Sequence, residues 1–493
     1  MEKLKCCVQT YDWGKKGTAS EVARVYAAGN PDANVDGGTS YAEIKDKIQA
    51  TKLKLWMGTH PDGPCHIQQS QKKLSQYIAE YEGSTAYRKV PTERHLPFIM
   101  KLMSIQHNLS IQVHPTKEQA ARLNDRDPIH YPDRNHKPEL AYALTRFELL
   151  CGFRPANQIC ENFEAFPELK HLLGEDTSQA FQILVRGGVD EKCETLKSAL
   201  AVCFKKFMKH AKDSAGEVKT LLDSVLMKLI CGIRGSLSEE TVTAIQKMSR
   251  DFPGDIGCFI PLLLNHIVLS PGECCYYGAQ ELHAYLSGEC IECVSCSNNT
   301  IRAACTSKFI DIDTLCEVLN YRMTDPSYYF VSPVVLKNFP HIRVYDPDCE
   351  DFTLHEVKVS SSSLSSETTK TSSVFIPTLE CGSIMLVMEG EGIIENYSAK
   401  RKTQKSLTVR RGDVIYIESH AQLRFVECTH DILAYRTFSY EEGPDHLFYN
   451  TDQTAISETT RVRVQMKGRM KPLIMDDDDA EMFDIENEMD GIC

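Results

Sequence analysis

Polar and apolar residues alternate along the segment LSIQVHP at residues 109–115. Successive side chains of a β-strand point to opposite faces, so Ser110, Gln112 and His114 share one face of a strand while the isoleucine and valine between them face a core. A hydroxyl, an amide and an imidazole are poor core groups, but the amide oxygen and the imidazole can bind a metal ion. The segment therefore predicts a strand with a metal-binding face; a partly exposed strand with a solvated polar face is the alternative.

Two further polar motifs downstream contain Glu139 and His283. Together with Gln112 and His114 they supply nitrogen and oxygen donors, the ligands that zinc accepts in catalytic sites with one coordination position left open. Two histidines and one carboxylate also form the ligand set of non-haem iron oxygenases. Ligand types alone therefore leave an iron-dependent dioxygenase as an alternative to a zinc enzyme.

Ordered motifs over roughly the first 440 residues resemble those of the type I mannose-6-phosphate isomerases (phosphomannose isomerases), zinc enzymes of the cupin superfamily. The motifs are YDWGK at 11–15, LWMGTHP at 55–61, SIQVHP at 110–115, NHKPE at 135–139, HAY at 283–285, IEC at 291–293, NTIRA at 299–303 and KFID at 308–311. The resemblance implies one zinc ion per subunit, held by Gln112, His114, Glu139 and His283. It also implies that the protein interconverts mannose 6-phosphate and fructose 6-phosphate through an enediol(ate), and so supplies mannose for GDP-mannose and glycan synthesis.

The resemblance further assigns roles to residues around the metal, each with an alternative. Arg302 is expected to stabilise the enediolate or to contact the phosphorylated substrate. Lys137 is expected to transfer a proton, because a nearby dication lowers its pKa, or else to contact the phosphate or a sugar hydroxyl. His136 either assists opening of the sugar ring or holds a position behind the ligands. Glu292 either transfers protons or orients Arg302.

Three residues are predicted to bind the substrate. Ser110 supplies a hydroxyl donor beside the metal-binding strand, and Lys308 supplies a cation for the phosphate. Tyr285 faces the same way as His283, so it either lines the sugar pocket or packs in the core. A catalytically inactive cupin that binds a sugar or a partner is the remaining alternative to an enzyme.

The predicted fold is mainly β, with an inserted α-helical domain and two cupin-type jelly-roll β-barrels. The apolar spacing of Val218, Leu222, Val225 and Leu229 indicates a helix. A weak repeat, turn then strand, at 271–276 and 411–416 indicates two barrels. The predicted domains are a discontinuous catalytic barrel at 1–155 and 257–325, a helical domain at 156–256, a metal-free barrel at 326–440 and an extension at 441–493.

Composition argues against several classes of protein. The chain has 42% apolar and 25% charged residues, as globular proteins do. Its net charge of −13 is concentrated at the end, since residues 476–493 contain nine acidic residues and no Lys or Arg, which leaves −4 for the rest. Neither a nucleic-acid partner nor a membrane partner is predicted. Without a signal-peptide pattern, a cytoplasmic protein is expected. The protein is also expected to be a monomer.

Three segments depart from the family pattern. Residues 44–54 form a polar, Lys-rich insertion that is predicted to be a surface loop, with a retained splice or gene-model feature as the alternative. The Ser- and Thr-rich run at 360–373 predicts a flexible loop in the second barrel. The acidic tail predicts a disordered extension, with a docking segment for a partner as the alternative.

Overall fold

The structure is a computed structural model that describes residues 1–30, 53–82, 92–364, 373–397 and 406–440. The whole C-terminal extension with its acidic tail lies outside these ranges. So do residues 44–52 of the insertion and most of the Ser- and Thr-rich run.

β-Strands dominate on both sides of a helical segment. Up to residue 325 the strands are β1 (Glu2–Lys5), β2 (Cys7–Thr10), β3 (Leu53–Gly58), β4 (His66–Ile67), β5 (Phe98–Ile105), β6 (Ile111–Val113), β7 (Glu139–Ala143), β8 (Phe147–Phe153), β9 (Leu264–Leu269), β10 (Cys274–Tyr277), β11 (His283–Ser295) and β12 (Ile301–Ala304). Beyond it they are β13 (Val334–Leu336), β14 (Phe339–Tyr345), β15 (Thr353–Val359), β16 (Val374–Ile376), β17 (Ser383–Asn396), β18 (Ser406–Arg410), β19 (Val414–Ile417) and β20 (Leu423–Phe438).

The helices cluster between β8 and β9, as the sequence predicts. The described helices are α1 (Glu21–Gly29), α2 (Leu74–Glu82), α3 (Lys117–Arg126), α4 (Ala156–Ala165), α5 (Pro167–Leu173), α6 (Glu175–Arg186), α7 (Glu194–Asp213), α8 (Ala215–Ile230), α9 (Glu239–Asp251) and α10 (Ile312–Val318). None of these helices, within the ranges that the structure describes, is long and apolar enough to span a bilayer.

Apolar periodicity and capping explain the helices of the insertion. In α8 the side chains of Val218, Leu222, Val225 and Leu229 are buried, as expected for an amphipathic helix packed on a core. Ser238 caps α9, because its hydroxyl accepts a backbone N–H of the first helical turn. Such a cap contributes about 1 kcal/mol to stability.

The described strands form two sheets of ten strands each. One sheet has the order β10–β7–β11–β5–β3–β2, with β6, β8, β9 and β12 joined to it through the first half of β11. The other has the order β13–β14–β15–β20–β17–β19–β1–β4, with β16 beside β20 and β18 beside β17. The pairing closes neither path into a ring among the described strands, so the prediction of jelly-roll barrels is not confirmed. The fold is nevertheless mainly β with a helical insertion.

The first strand of the chain lies in the second sheet rather than the first. β1 pairs with β19 on one side and with β4 on the other. Residues 2–3 therefore pair with a strand that the sequence assigned to the metal-free barrel, whereas residues 4–5 pair within the segment predicted as the catalytic barrel. No local sequence pattern predicts the pairing of β1 with β19, because residues 2–3 and 415–416 are far apart in the chain.

The repeat at 271–276 and 411–416 has the same local geometry in both copies. Gly272 (φ 92°) and Gly412 (φ 89°) adopt left-handed conformations immediately before β10 and β19. Only glycine adopts this region without strain, so both positions mark turns. The next strand begins with His283 in the first sheet and with buried Leu423 in the second.

Strand β11 connects the two halves of the first sheet. Its first part, from His283, pairs with β6 and β8, whereas its second part, which includes Glu292, pairs with β5 and β7. The change of partners occurs at Gly288, where φ is 111° and a Cβ would lie 2.5 Å from the carbonyl oxygen of Arg146. The bend therefore requires glycine, and it lets one strand carry two functional side chains to different neighbours.

Candidate functional site

The four predicted metal ligands converge where β6, β7 and β11 meet. His114 Nε2 lies 3.2 Å from one carboxylate oxygen of Glu139, and His283 Nε2 lies 3.6 Å from the other. The amide nitrogen of Gln112 lies 3.5 Å from both imidazole Nε2 atoms. The two histidines and the glutamate are buried, and one ligand atom from each lies within 4.8 Å of the others. The structure thus brings together side chains from both sides of the helical insertion.

Strand register explains how the chain aligns these groups. Gln112 on β6 lies directly opposite His283 on β11, and Arg302 on β12 lies opposite Gln112 on its other side. Directly opposed residues of antiparallel strands have neighbouring side chains on the same face of the sheet. Arg302, Gln112 and His283 therefore form one row across three strands.

Backbone carbonyls orient both imidazoles towards the centre of the cluster. His114 Nδ1 donates to the carbonyl oxygen of Asn299 at 2.6 Å, and His283 Nδ1 donates to that of Glu281 at 2.9 Å. A hydrogen on Nδ1 leaves the lone pair of Nε2 free. Metal-binding histidines commonly have this arrangement.

Burial and charge keep the cluster in the ionisation states that metal binding needs. Burial, with the charge of Lys137, lowers the pKa of His114 to about 4, and burial also lowers the pKa of His283. For Glu139, burial acts to raise the pKa, but Lys137 and His114 outweigh it and hold the pKa well below its usual range. At neutral pH the cluster therefore presents two neutral imidazoles and one carboxylate.

Gln112 can present its amide oxygen to the same centre after one rotation of the amide group. Its NH₂ group faces the two imidazoles, while its oxygen accepts a hydrogen bond from Ser110 Oγ at 3.2 Å. Half a turn about the Cγ–Cδ bond exchanges the two ends, which have nearly the same shape. The oxygen then points at the cluster, as a cation requires.

Two tyrosines support the carboxylate of the cluster from behind. Tyr277 donates its hydroxyl hydrogen to the second oxygen of Glu139 at 2.8 Å, and the hydroxyl of Tyr285 lies 2.7 Å from that of Tyr277. Since Tyr277 has a single hydroxyl hydrogen, Tyr285 is the donor in the second bond. Tyr285 is buried and also lines the cavity at the cluster. Its side chain therefore packs in the core and forms part of the cavity wall.

Three lysines and a second glutamate share the cavity with the metal cluster. Lys137 Nζ lies 3.4 Å from Glu139. Farther along β11, Glu292 receives Lys101 Nζ at 2.6 Å and lies 3.8 Å from Lys54 Nζ. Lys101 and Glu292 are directly opposed on β5 and β11. The cavity therefore combines groups that can exchange protons with cations that can attract an anion.

Lys54 and Lys101 were absent from the residues predicted for the site. A signal for Lys101 exists, because it interrupts the apolar strand FIMKLMSI, whose residues are all buried, and lysine is almost never fully buried without a partner. Lys54 is the last residue of the insertion that was predicted to be a surface loop. For Lys54 that prediction is wrong: it lies in β3 and is buried.

The environment of Lys54 disfavours its ammonium form. The Nζ atom lies 5.5 to 5.9 Å from the ring centroids of Tyr11, Trp13 and Trp56, contacts that favour the ammonium form but are outweighed by burial. Burial lowers the pKa of Lys54 to about 7, although the charge of Glu292 opposes that shift. Lys54 therefore changes its charge near neutral pH.

Replacing Lys54 with methionine is expected to raise stability more at pH 6 than at pH 9.5. Between pH 7 and the ordinary pKa of lysine, the unfolded chain holds a proton that the folded protein lacks, so stability rises with pH. The cost of burying the ammonium is thus complete below pH 7 and amounts to about 5 kcal/mol at most. Urea unfolding of the wild type and the variant at both pH values measures the change in the free energy of unfolding. Lys72→Met, at the surface, is the control. Equal gains at both pH values would contradict the effect.

Glu292 is held as a carboxylate by its neighbours. Burial acts to raise its pKa, but the ammonium groups of Lys101 and Lys54 outweigh burial and lower it. At neutral pH Glu292 can therefore accept a proton.

Comparison with known proteins identifies the family. A family model of the phosphomannose isomerase type I catalytic domain matches residues 1–156, and one of the type I helical insertion domain matches residues 172–264. Mannose-6-phosphate isomerase of Rattus norvegicus is 37% identical over 420 residues, which are 84% of this chain and 92% of the relative. The chain belongs to the type I phosphomannose isomerase family. It is therefore an isomerase, which favours isomerisation over the dioxygenase alternative.

More distant relatives agree with this family. Mannose-6-phosphate isomerase 1 of Arabidopsis thaliana is 33% identical over 446 residues, which are 88% of this chain and 93% of the relative. A crystal structure of a glutamate-to-alanine mutant of phosphomannose isomerase from Salmonella typhimurium superposes with a TM-score of 0.68 at 23% identity, over 90% of this chain and all of the other. A mannose 6-phosphate isomerase crystallised with zinc and yttrium matches equally well, with a TM-score of 0.68 at 23% identity over the same shares. These structures support the fold.

Arg302, which the family resemblance placed in the site, has no hydrogen-bond or ion-pair partner among the described residues. Its side chain is partly buried on β12, beside Gln112. No hydrogen bond or ion pair to its guanidinium comes from any residue that the structure describes. A partly buried cation without a counter-charge is suited to bind an anionic ligand.

The structure separates His136 from the metal cluster. His136 Nε2 lies 2.5 Å from a carboxylate oxygen of Asp351, which precedes β15 of the second sheet and also accepts from Ser295 Oγ at 2.7 Å. Lys137 and Glu139, on the other face of the extended segment, point to the cluster. His136 therefore joins the two sheets.

Lys308 lies near a different cavity from the one at the metal cluster. It is exposed, and the residues that follow it, at 309–313, line a larger cavity of 650 Å³ against α7 and α8. That cavity contains none of the predicted ligands. The smaller cavity is the candidate site, because Gln112, Glu139 and His283 of the metal cluster line it. Ser110, Tyr285 and Glu292 line it as well.

Proposed function

We propose that the protein is a zinc-dependent isomerase that interconverts mannose 6-phosphate and fructose 6-phosphate through an enediol(ate). The observation that carries this proposal is the convergence of Gln112, His114, Glu139 and His283 in a cavity that also holds three lysines. The names of the relatives supply the substrate. One zinc ion per subunit is expected from the single ligand cluster in this cavity.

The donor set fits zinc in its chemistry. Two neutral imidazoles, one carboxylate and an amide oxygen are ordinary zinc ligands, and only one of them carries charge. A bound ion would therefore keep a net positive charge. When bound, it would supply Lewis-acid polarisation of the sugar oxygens.

Proton transfer between C1 and C2 needs a base and a group that returns the proton. Glu292 is a carboxylate at neutral pH and lies 2.6 Å from the Lys101 ammonium, so this pair can accept and return a proton. Lys137 is the alternative, since burial lowers its pKa despite the charge of Glu139. We assign the transfer to Glu292 with Lys101, because their shared hydrogen bond already provides a donor and an acceptor.

The remaining groups are assigned to the substrate's charge and hydroxyls. Arg302 stabilises the enediolate or binds the phosphate, because its charge is permanent and unpaired by the described residues. Ser110 donates a hydroxyl hydrogen at the cavity wall, and Tyr285 lines that wall. Lys308 is assigned to the phosphate only through the family motif, since it lies beside the larger cavity.

The same proposal includes the division into domains, the metabolic role and the cellular location. The family resemblance supports two cupin-type barrels, divided as 1–155 with 257–325, a helical domain at 156–256 and a metal-free barrel at 326–440. It also supports a role in supplying GDP-mannose and glycans. A monomer in the cytoplasm stays a prediction from the sequence.

A coupled assay of mannose 6-phosphate turnover, before and after chelation, tests the proposal. Activity is expected to disappear with the metal and to return when zinc is added. Full activity in metal-free protein would rule out the zinc mechanism. Folded, zinc-loaded protein without turnover would instead support the inactive binding protein, against which the retention of every ligand and of Arg302 argues.

A further inference from the structure

A second convergence of imidazoles and a carboxylate lies on the helical insertion, away from the candidate site. His171 is in the last turn of α5, His210 is in the last turn of α7, and Glu217 is in the first turn of α8. We propose that these three residues bind a second divalent transition-metal ion, with zinc as the first candidate. Among the described residues, only this group and the buried cluster bring three such ligands together.

The geometry of this group is that of an open metal site. His171 Nε2 lies 2.8 Å from one oxygen of Glu217, and His210 Nε2 lies 2.9 Å from the other. The two rings stand edge to face with centroids 5.6 Å apart, so both nitrogens point into the space beside one carboxylate. A metal ion there would take the place of the two hydrogens that now join the three groups.

The chemistry of the ligands selects a transition metal. Imidazole suits zinc, copper and nickel, whereas calcium and magnesium prefer sites made of oxygen atoms alone. The hydrogen bonds from His210 and His171 lower the pKa of Glu217, so its carboxylate is charged. All three side chains are partly exposed, which leaves room for water as further ligands.

Packing of the helices holds the three positions in place. α5, α7 and α8 contact one another through buried side chains, including Leu172 on α5, Phe207 on α7 and Val218 on α8. A site whose backbone is already fixed loses less entropy when it binds. The carbonyl end of α7, a helix of 20 residues, also favours a cation beside His210.

Another surface histidine, His130, shows how an ordinary contact between a histidine and a carboxylate differs from this group of three ligands. His130 lies 2.7 Å from Asp127, but that pair has one imidazole and one carboxylate from a single turn of chain. It makes an ordinary surface contact and offers too few ligands for a stable metal site. His130→Ala is therefore a matched control for the removal of an exposed, carboxylate-bound histidine.

Metal content after equilibrium dialysis against micromolar zinc tests the proposal on the full-length protein. The wild type is expected to bind one zinc ion more than His171→Ala or Glu217→Gln, and His130→Ala is expected to bind as many as the wild type. The acidic tail is present in every variant, so any zinc that it binds cancels in the comparison. Equal metal content in the wild type, His171→Ala and Glu217→Gln would overturn the second site.

Two more measurements separate this site from the proposed catalytic one. His114→Ala is expected to lose a different ion, so the double variant with His171→Ala should lose both. Zinc should also raise the thermal unfolding midpoint of His114→Ala, because the ion joins three helices. In the double variant His114→Ala with Glu217→Gln, zinc is expected to leave the unfolding midpoint unchanged, which would support the second site. A rise as large as that of His114→Ala alone would overturn it.

Discussion

Replacing His114 with alanine is expected to lower kcat/KM for mannose 6-phosphate by at least about a thousandfold. Its imidazole is buried, neutral at neutral pH and aimed at Glu139 and His283, so its loss removes a ligand rather than a packing contact. A thousandfold loss corresponds to about 4 kcal/mol, the size of the charge stabilisation that a Lewis acid supplies. Bound zinc, measured by elemental analysis, should fall with the activity.

His266 offers a matched control for this change. It lies on β9 of the same sheet, and burial lowers its pKa to about 4, as it does for His114. Its ring contacts Thr241 at 3.2 Å and no metal cluster. His266→Ala should therefore keep its zinc and most of its kcat/KM, even if it unfolds at a lower temperature. Unchanged zinc and activity in His114→Ala would remove His114 from the site.

The convergence of the proposed metal ligands could be predicted because the sequence holds them in short motifs. Alternation along β6 placed Gln112 and His114 on one face, and the family motifs supplied Glu139 and His283. The structure brings these four together because β11 pairs with β6 after the helical insertion. The helical insertion could also be predicted, since apolar spacing and the Ser238 cap are local features.

Other features depend on contacts between segments that are distant in the chain. Lys54 seemed to end a polar loop, and only the pairing of β3 with β5 puts it beside Glu292. The pairing of β1 with β19 has no local signal either. For His136, the family resemblance offered two roles near the metal, but its partner Asp351 comes from the second sheet. Sequence patterns indicate on which face of a strand a residue lies. Which residues that face contacts depends on how distant segments of the chain pair and pack.

Replacing Glu292 with glutamine is expected to lower kcat by about a hundredfold to ten-thousandfold, the range of general acid–base catalysis. Glutamine keeps the shape of the side chain and can still accept a hydrogen bond from Lys101, but it cannot accept a proton. KM should change much less than kcat, because the charges assigned to the phosphate remain. Steady-state kinetics with mannose 6-phosphate measure both constants.

Glu289→Gln is the control for this change. Glu289 is also buried on β11, and it pairs with Lys15 at 3.3 Å, away from the lysines of the cavity. Its loss should lower stability without a comparable loss of kcat, since breaking a buried ion pair is costly wherever it lies. If Glu292→Gln kept the wild-type kcat while Lys137→Met lost it, the proton transfer would belong to Lys137. Glu292 would then serve to hold Lys101 and Lys54 in the cavity wall.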